Sequence, residues 1–300
     1  MDMLTVSKVS KSFGDKRIVD NLSFKVPEHS VFGFIGQNGA GKTTTMKMIL
    51  GLLEMNSGEI LVNGEKVRYG QNITNQYIGY LPDVPEFYGY MTPMEYLTLC
   101  GKITGMSKAE IKQRSEELLE MVGIGKENKR IRGFSRGMKQ RLGIAQALLN
   151  KPKLLICDEP TSALDPIGRK EILDILSAVK EHTTVIFSTH ILSDVERICD
   201  NIAFLHGGRI VLQGTFDEIK SNHKGTDMEI EFTKAEDIAR FSCVYMEGKP
   251  ISATKVLYEK KSESDMLEIM SILAENGICV QRIERLEPTL EDLFVEVAGK

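Results

Sequence analysis

The sequence has little cysteine, and its five cysteines form no Cys-x-x-Cys pair. An odd number of unpaired cysteines is typical of a reduced, cytosolic protein and argues against a disulfide scaffold. Apolar runs long enough to cross a membrane are also lacking, so we expect no transmembrane segment. The first residues show no basic segment followed by an apolar one, so we expect no signal peptide.

An excess of positive charge is lacking as well. The net charge is −4 and the isoelectric point is about 5.9, whereas duplex-binding domains are usually basic, so we expect no nucleic-acid partner. Residues 1–220 carry 28 basic and 26 acidic side chains, and residues 221–300 carry 10 and 16. This shift indicates a boundary near residue 220, and we predict a main domain over 1–220 and a small α+β domain over 226–300.

Hydrophobic patterning predicts an α/β fold. The first segments alternate apolar and polar residues, which favours an antiparallel sheet, and later strands and helices alternate, which implies a mainly parallel sheet. A helical region is expected at about 84–150. The predicted strands are 4–9, 18–26, 31–35, 58–63, 77–81, 154–157, 185–187, 202–205, 209–212, 228–232, 254–258 and 279–286. The predicted helical segments are 42–53, 94–123, 137–150, 166–182, 192–199, 265–275 and 289–297.

A glycine-rich segment lies between a continuous apolar strand and a helix, and it matches the phosphate-loop pattern GxxxxGK[ST] in full. Its glycines let successive backbone N–H groups point at phosphate, and the helix N-terminus adds its positive dipole end. Lys42 is placed for the β- and γ-phosphates, and Thr43 for Mg²⁺. The predicted nucleotide-binding residues of the loop are Gly36, Asn38, Gly39, Ala40, Gly41, Lys42, Thr43 and Thr44.

The apolar strand 154–157 runs into two carboxylates, Asp158 and Glu159. Ligands of open α/β sheets bind at the carboxyl ends of the strands, so this position suits chemistry. Asp158 is predicted to bind Mg²⁺, directly or through water. Glu159 is predicted to orient or deprotonate the attacking water.

Three further segments carry a family resemblance. Phe134-Ser135-Arg136-Gly137-Met138-Lys139-Gln140-Arg141 resembles the signature motif of ATP-binding cassette proteins, Ser162-Ala163-Leu164-Asp165 resembles their D-loop, and Ser188-Thr189-His190 resembles their switch histidine. The order of these motifs between Gly36 and His190 is similar to the family's order. The resemblance covers residues 1–220 and implies a P-loop NTPase cassette that hydrolyses ATP with Mg²⁺. A GTPase is disfavoured because no NKxD-type motif is present.

The resemblance also implies roles for single residues. Phe13 resembles the aromatic residue that stacks on adenine, although a place in the core of the antiparallel sheet is an equal alternative. Ser135 and Gly137 resemble the residues that cap the γ-phosphate of ATP held by a second cassette; an ordinary helix N-cap is the alternative for Ser135. Asp165 resembles the residue that couples two active sites. His190 resembles the one that contacts the γ-phosphate, so it joins Lys42 and Glu159 as a predicted catalytic residue.

Two parts of the sequence depart from the family pattern. The signature motif has Arg136 where glycine is common and Met138 where glutamine is common. The position of the Q-loop glutamine holds Asp83, which is shorter and anionic. We include Asp83 among the candidate nucleotide-site residues because a carboxylate can reach Mg²⁺ through water.

Partners follow from the same resemblance. Family members work as pairs of cassettes, so we expect an ATP-dependent dimer with a second copy or with a related chain. A membrane permease is expected to dock near residues 84–105, where Phe87-Tyr88-Gly89-Tyr90-Met91 is dense in aromatic residues. A buried mini-core is the alternative for these side chains, and we expect a mixture. Such a protein is peripheral at the cytoplasmic face of the membrane.

The segment from Gly225 resembles the accessory C-terminal domain of the bacitracin-resistance and antibiotic-efflux type of cassette ATPase, through Leu290-Glu291-Asp292-Leu293-Phe294. This favours an ATPase subunit of an export system. The alternative is a soluble cassette ATPase that acts on a macromolecular complex. A non-catalytic nucleotide-binding regulator is disfavoured because Glu159 and His190 are both present.

Overall fold

The computed structural model describes residues 2–71, 73–222, 227–259, 261–286 and 289–298. The chain divides into two compact units, residues 1–216 and 217–300. The strands are β1 (Asp2–Phe13), β2 (Lys16–Pro27), β3 (Val31–Gly36), β4 (Ser57–Val62), β5 (Glu65–Lys66), β6 (Ile78–Leu81), β7 (Leu154–Asp158), β8 (Thr184–Thr189), β9 (Asn201–His206), β10 (Arg209–Thr215), β11 (Met228–Phe232), β12 (Lys249–Pro250), β13 (Lys255–Tyr258) and β14 (Val280–Arg285). The α-helices are α1 (Lys42–Ile49), α2 (Pro93–Ile103), α3 (Lys108–Met121), α4 (Arg136–Leu148), α5 (Pro166–Val179), α6 (Leu192–Ile198), α7 (Phe216–Asn222), α8 (Ala235–Ser242), α9 (Glu263–Glu275) and α10 (Leu290–Ala298).

A six-stranded sheet forms the centre of the first unit, in the order β10-β9-β3-β8-β7-β6. Adjacent strands of this sheet run parallel to each other, except β9 and β10, which form an antiparallel hairpin. Every residue of β3, β7 and β8 is buried, as expected for strands covered on both faces. The predicted α/β fold with a mainly parallel sheet is confirmed.

An antiparallel sheet in the order β2-β1-β4-β5 lies beside the central sheet in the same unit. The two sheets meet through aromatic side chains: the ring of Phe24 on β2 lies 5.5 Å from that of Phe32 and 5.3 Å from that of Phe34, both on β3. Apolar residues of both sheets therefore share one core beneath the phosphate loop.

The helical region consists of α2, α3 and α4. The stretch predicted as helical over 94–123 is two helices, because Gly105 adopts a left-handed φ of 79° and Ser107 starts α3 with a capping box to Glu110. Helix α1 ends at Ile49, earlier than predicted, because Gly51 also has a left-handed φ, of 68°.

The second unit is an α+β structure with an antiparallel sheet in the order β12-β13-β11-β14. Its core includes Ile230, Phe232, Phe241 and Tyr258. Sequence patterning does not predict α8, because this helix is short and its N-cap, Lys234, makes no side-chain capping bond. Across the described part of the chain, no helix is both long and apolar enough to span a bilayer.

Candidate active site

The candidate catalytic segments meet at one edge of the central sheet. Strand β3 leads into the phosphate loop, β7 ends at Asp158, and β8 ends one residue before His190. Ile35 pairs with Thr189 and Asp158 with Ser188, so the carboxyl ends of these three strands are adjacent. Segments far apart in sequence are therefore brought together where ligands of α/β sheets bind.

The phosphate loop requires glycine at particular positions. Gly41 has a φ of 111°, a conformation that side chains rarely adopt. A Cβ at Gly36 would lie 2.7 Å from the carbonyl oxygen of Leu205. Lys42 is only 6% exposed, and its Nζ donates to the carbonyl oxygens of Gly36 at 2.6 Å and Gln37 at 3.3 Å. The loop therefore holds the ammonium group where its backbone curls.

Hydroxyl groups contact both oxygens of the buried Asp158 carboxylate. Thr43 Oγ1 donates to Oδ2 at 2.8 Å, and Ser188 Oγ donates to Oδ1 at 2.5 Å. Magnesium is usually held by one or two carboxylates together with phosphates and water, and it prefers oxygen ligands. The Thr43–Asp158 pair fits this requirement. No group of three or more His, Cys, Asp or Glu side chains that could form an all-protein metal cage occurs among the described residues.

Glu159 lies between Lys42 and His190. Its Oε2 is 2.8 Å from His190 Nδ1, and its Oε1 is 3.0 Å from Lys42 Nζ. The Lys42 contact is an ion pair to the buried Oε1 atom. An ionised carboxylate has about four lone-pair acceptor sites, so the group keeps acceptor capacity beside these two contacts.

A cavity of about 420 Å³ lies over the phosphate loop. Its lining residues are Phe13, Lys16, Ile18, Gln37, Asn38, Gly39, Gly41, Lys42, Thr43, Thr44, Asp83, Asp158 and Glu159. Phe13 is 50% exposed, and Lys11 Nζ lies 5.3 Å from its ring centroid. The alternative that placed Phe13 in the core of the antiparallel sheet is therefore wrong.

Asp83 occupies the rim of this cavity. Its carboxylate Oδ1 is 3.3 Å from Arg136 Nη2, and its backbone carbonyl accepts a 2.7 Å hydrogen bond from the buried Gln140 side chain. Nearby, burial and, to a lesser extent, the Asp158 carboxylate raise the pKa of Tyr80 to about 12. Its hydroxyl group therefore stays protonated at neutral pH.

Six candidate residues are not part of the lining of this cavity: Gly36, Ala40, His190, Ser135, Gly137 and Asp165. The last three lie at helix starts. Ser135 is the N-cap of α4, where its Oγ accepts a hydrogen bond from Met138 N at 3.2 Å. Asp165 is the N-cap of α5 and accepts from Gly168 N at 3.3 Å. Both side chains are exposed, and Gly137 follows in the first turn of α4. Ser135 is therefore a helix N-cap, as the alternative predicted. Its exposed hydroxyl group can still donate one hydrogen bond and accept another.

Sequence reasoning missed a role for Ser188. Its Oγ contacts Asp158, and it also accepts from the backbone N of Glu159 at 3.2 Å. It therefore holds the Asp158 carboxylate and the backbone of Glu159 from the neighbouring strand. The sequence signal for this role was the position of Ser188 at a strand end, two residues before His190. Local sequence does not show that β8 pairs with β7 and so places Ser188 beside Asp158.

The aromatic segment near residue 88 is partly exposed. Phe87 is half-buried, and its ring packs edge-on against Tyr96, with centroids 5.0 Å apart. Tyr88 and Tyr90 are 54% and 62% exposed. Beside them lies a groove of about 440 Å³, lined by Asp83, Val84, Pro85, Glu86, Phe87, Gly89, Ile131, Arg132, Arg136 and Lys139. The segment thus combines packed and exposed aromatic rings.

A mainly parallel sheet that carries a phosphate loop, a Thr–Asp oxygen pair and a largely enclosed glutamate at its carboxyl edge defines a P-loop ATPase. Comparison with known proteins narrows this class. The ABC transporter family matches residues 19–162, and the family described as ATP-binding protein DrrA1-3-like, C-terminal domain, matches residues 214–298.

Relatives match over nearly the whole chain. An uncharacterized ABC transporter ATP-binding protein, YxlF of Bacillus subtilis (strain 168), is 39% identical over 98% of this chain and 99% of its own length. The bacitracin transport ATP-binding protein BcrA of Bacillus licheniformis is 36% identical over 99% and 97%. A solved structure of an ATP-binding subunit of an ABC transporter is 34% identical, with a TM-score of 0.67 over 74% of this chain and 93% of its own.

The chain belongs to the ABC transporter ATP-binding protein family, with a DrrA-like C-terminal domain. It is a nucleotide-binding, ATP-hydrolysing cassette, and the predicted cassette fold is confirmed.

Proposed function

We propose that this chain is the ATPase subunit of a membrane exporter and drives a separate permease. The observation that carries the proposal is the division of the site: Lys42, Asp158 and Glu159 line one cavity, while Ser135, Gly137 and Asp165 lie apart from its lining at helix starts. The similarity to BcrA, a bacitracin transport ATP-binding protein, and the match to a DrrA-like C-terminal domain support transport over action on a soluble complex. We assign residues 1–220 to the cassette and 226–300 to the accessory domain.

In the proposed reaction, water attacks the γ-phosphorus of ATP in line with the bridging oxygen. Glu159 accepts a proton from this water, which its place in the cavity lining beside Lys42 and His190 supports. The bond between the γ-phosphorus and the bridging oxygen breaks, and ADP and inorganic phosphate leave. Lys42 stabilises the negative charge of the phosphates, and His190 contacts Glu159 and the γ-phosphate.

Thr43 and Asp158 are the residues that would hold Mg²⁺, and the ion would neutralise part of the phosphate charge. The backbone N–H groups of residues 36–44 bind the phosphates at the start of α1. Phe13 stacks on the adenine from the exposed end of β1. Asp83 contacts the bound nucleotide complex from the rim of the cavity.

A second cassette completes each site in this proposal. Ser135 and the backbone of Gly137 are free to cap the γ-phosphate held by the other chain, because both stand at the start of α4, where the helix dipole favours anions. Asp165 links the two sites across the pair. ATP then joins the two cassettes, and hydrolysis releases them through repulsion between the products.

The permease docks beside residues 84–105. Val84, Tyr88 and Tyr90 are each more than half exposed, and the neighbouring groove adds the cationic side chains of Arg132 and Lys139. Aromatic residues and arginine are enriched at protein interfaces. The chain is accordingly peripheral at the cytoplasmic face of the membrane.

The test is the solution mass of the Glu159→Gln protein with and without Mg²⁺ and ATP. We expect a shift from monomer to dimer with ATP, because binding is kept while hydrolysis is slowed about 10²–10⁴-fold. Adding Lys42→Ala to this variant should abolish the shift. A Glu159→Gln protein with normal ATPase activity would remove Glu159 from its role, and a monomer that still binds ATP would argue against self-pairing.

A further inference from the structure

A second buried carboxylate lies behind the active site. Asp194 on α6 is only 3% exposed, and it has no part in the chemistry proposed above. Its Oδ2 accepts a hydrogen bond from Thr161 Oγ1 at 2.7 Å, and its Oδ1 accepts from Arg169 Nη2 at 2.6 Å. A buried charge requires such partners, so the three side chains form one connected network.

This network joins the segments that carry three candidate residues. Thr161 follows Glu159 by two positions, Arg169 follows Asp165 by four, and Asp194 follows His190 by four. Thr161 is fully buried, and Arg169 reaches Asp194 from α5. A single carboxylate thus connects the turn after β7, the start of α5 and the start of α6.

The turn after β7 has a strained backbone. Glu159 and Ala163 have left-handed φ values of 49° and 53°, which non-glycine residues adopt only where their surroundings hold them. Backbone bonds of the turn include Ser162 N to Glu159 O at 3.1 Å and Glu159 N to Ser188 O at 3.1 Å. Thr161 lies midway between the two strained residues, so its bond to Asp194 holds the centre of the turn.

We propose that Asp194 is a positioning residue for ATP hydrolysis: through Thr161 it holds the 159–163 turn and thereby the direction of the Glu159 carboxylate. The inference rests on the proposed role of Glu159. Arg169 neutralises the carboxylate and fixes its orientation. The network acts on the rate of the chemical step, because small displacements of a catalytic group lower rates strongly. The phosphate loop, which binds ATP, follows β3 and not β7, so the affinity for ATP should change little.

The test compares Thr161→Val, which keeps the shape and removes the donor, with Thr161→Ser, which keeps the donor. We expect Thr161→Val to lower kcat about 10- to 100-fold while the KM and the affinity for ATP change less than about twofold. Thr161→Ser should restore kcat to within about threefold of the parent. The matched control is Thr183→Val, which removes another buried hydroxyl, bonded to Pro152 O at 3.0 Å ahead of β8, and should lower thermal stability without lowering kcat.

Unchanged kcat in Thr161→Val, with a loss of stability like that of Thr183→Val, would overturn the proposal, as would equal losses of kcat in Thr161→Val and Thr161→Ser. If Thr161→Val does not fold, Arg169→Gln tests the other bond of Asp194: a several-fold fall in kcat, recovered by Arg169→Lys, supports the proposal, and an unchanged kcat contradicts it. Glu159→Gln in the same assay separates the role of Glu159 from the role of the network. If Glu159→Gln keeps its ATPase activity, the role of Glu159 is refuted. If Glu159→Gln loses activity and Thr161→Val does not, only the network proposal is refuted.

Discussion

Asp83 and Arg136, which both depart from the family pattern, contact each other. Their side chains form an ion pair of 3.3 Å between the loop after β6 and the first turn of α4. Asp83 lines the nucleotide cavity, and both residues line the groove proposed for the permease. Two of the three expected departures, Asp83 and Arg136, therefore form one structural feature, in which the arginine neutralises the carboxylate.

This pair should be measurable as an energetic coupling. We expect a double-mutant cycle of Asp83→Ala and Arg136→Ala, measured on kcat/KM for ATP, to give about 0.2–1 kcal/mol, because both side chains are nearly half exposed. Added salt should reduce the coupling. A matched cycle on Lys66 and Glu59, an equally exposed pair in the antiparallel sheet, should give none. Coupling of similar size in both cycles would contradict a specific role of the Asp83–Arg136 ion pair in ATP hydrolysis.

Phe13 should contribute to ATP affinity by stacking. We expect Phe13→Ala to raise the Kd for ATP about 5- to 150-fold, since stacking of a base on an aromatic ring contributes about 1–3 kcal/mol. Phe13→Tyr should bind ATP like the parent. Equal affinities for ATP in all three proteins, measured by titration calorimetry, would place adenine elsewhere.

Tyr88 and Tyr90 should couple the cassette to its permease. We expect Tyr88→Glu or Tyr90→Glu to abolish stimulation of ATP hydrolysis by the permease, because the substitution removes an exposed aromatic contact and adds charge. Tyr69→Glu is the matched control, since Tyr69 is 59% exposed at a different site. Full stimulation of the Tyr88 and Tyr90 variants in proteoliposomes would exclude this surface.

The thiol groups should differ strongly in reactivity. Burial raises the pKa of Cys157 and of Cys199 well above the ordinary range, so both stay protonated as the pH rises through 9. Cys243 and Cys279 are exposed. We expect a thiol reagent to modify these two first, and Cys157 only after unfolding. Rapid labelling of Cys157 in the folded protein, located by mass spectrometry, would contradict the burial of β7.

The catalytic motifs could be predicted because they are local. The phosphate loop, the Asp158-Glu159 strand end and the segment that ends at His190 are each a few consecutive residues, so each pattern can be recognised without knowing the fold. The contacts between segments could not be predicted: Ser188 meets Asp158, and Thr161 meets Asp194, only because β8 and α6 fold back beside β7. Hydrophobic periodicity reports neighbours along one element and carries no information on these pairings.

The position of β3 in the central sheet has a consequence for synthesis of the protein. This strand is made early, yet it pairs with β8 on one side and β9 on the other. Both partners leave the ribosome long after the phosphate loop does, and contacts between distant segments form late. A nascent chain therefore exposes its phosphate loop without a supporting sheet until residue 206 has emerged, so chains released before that point should not bind ATP.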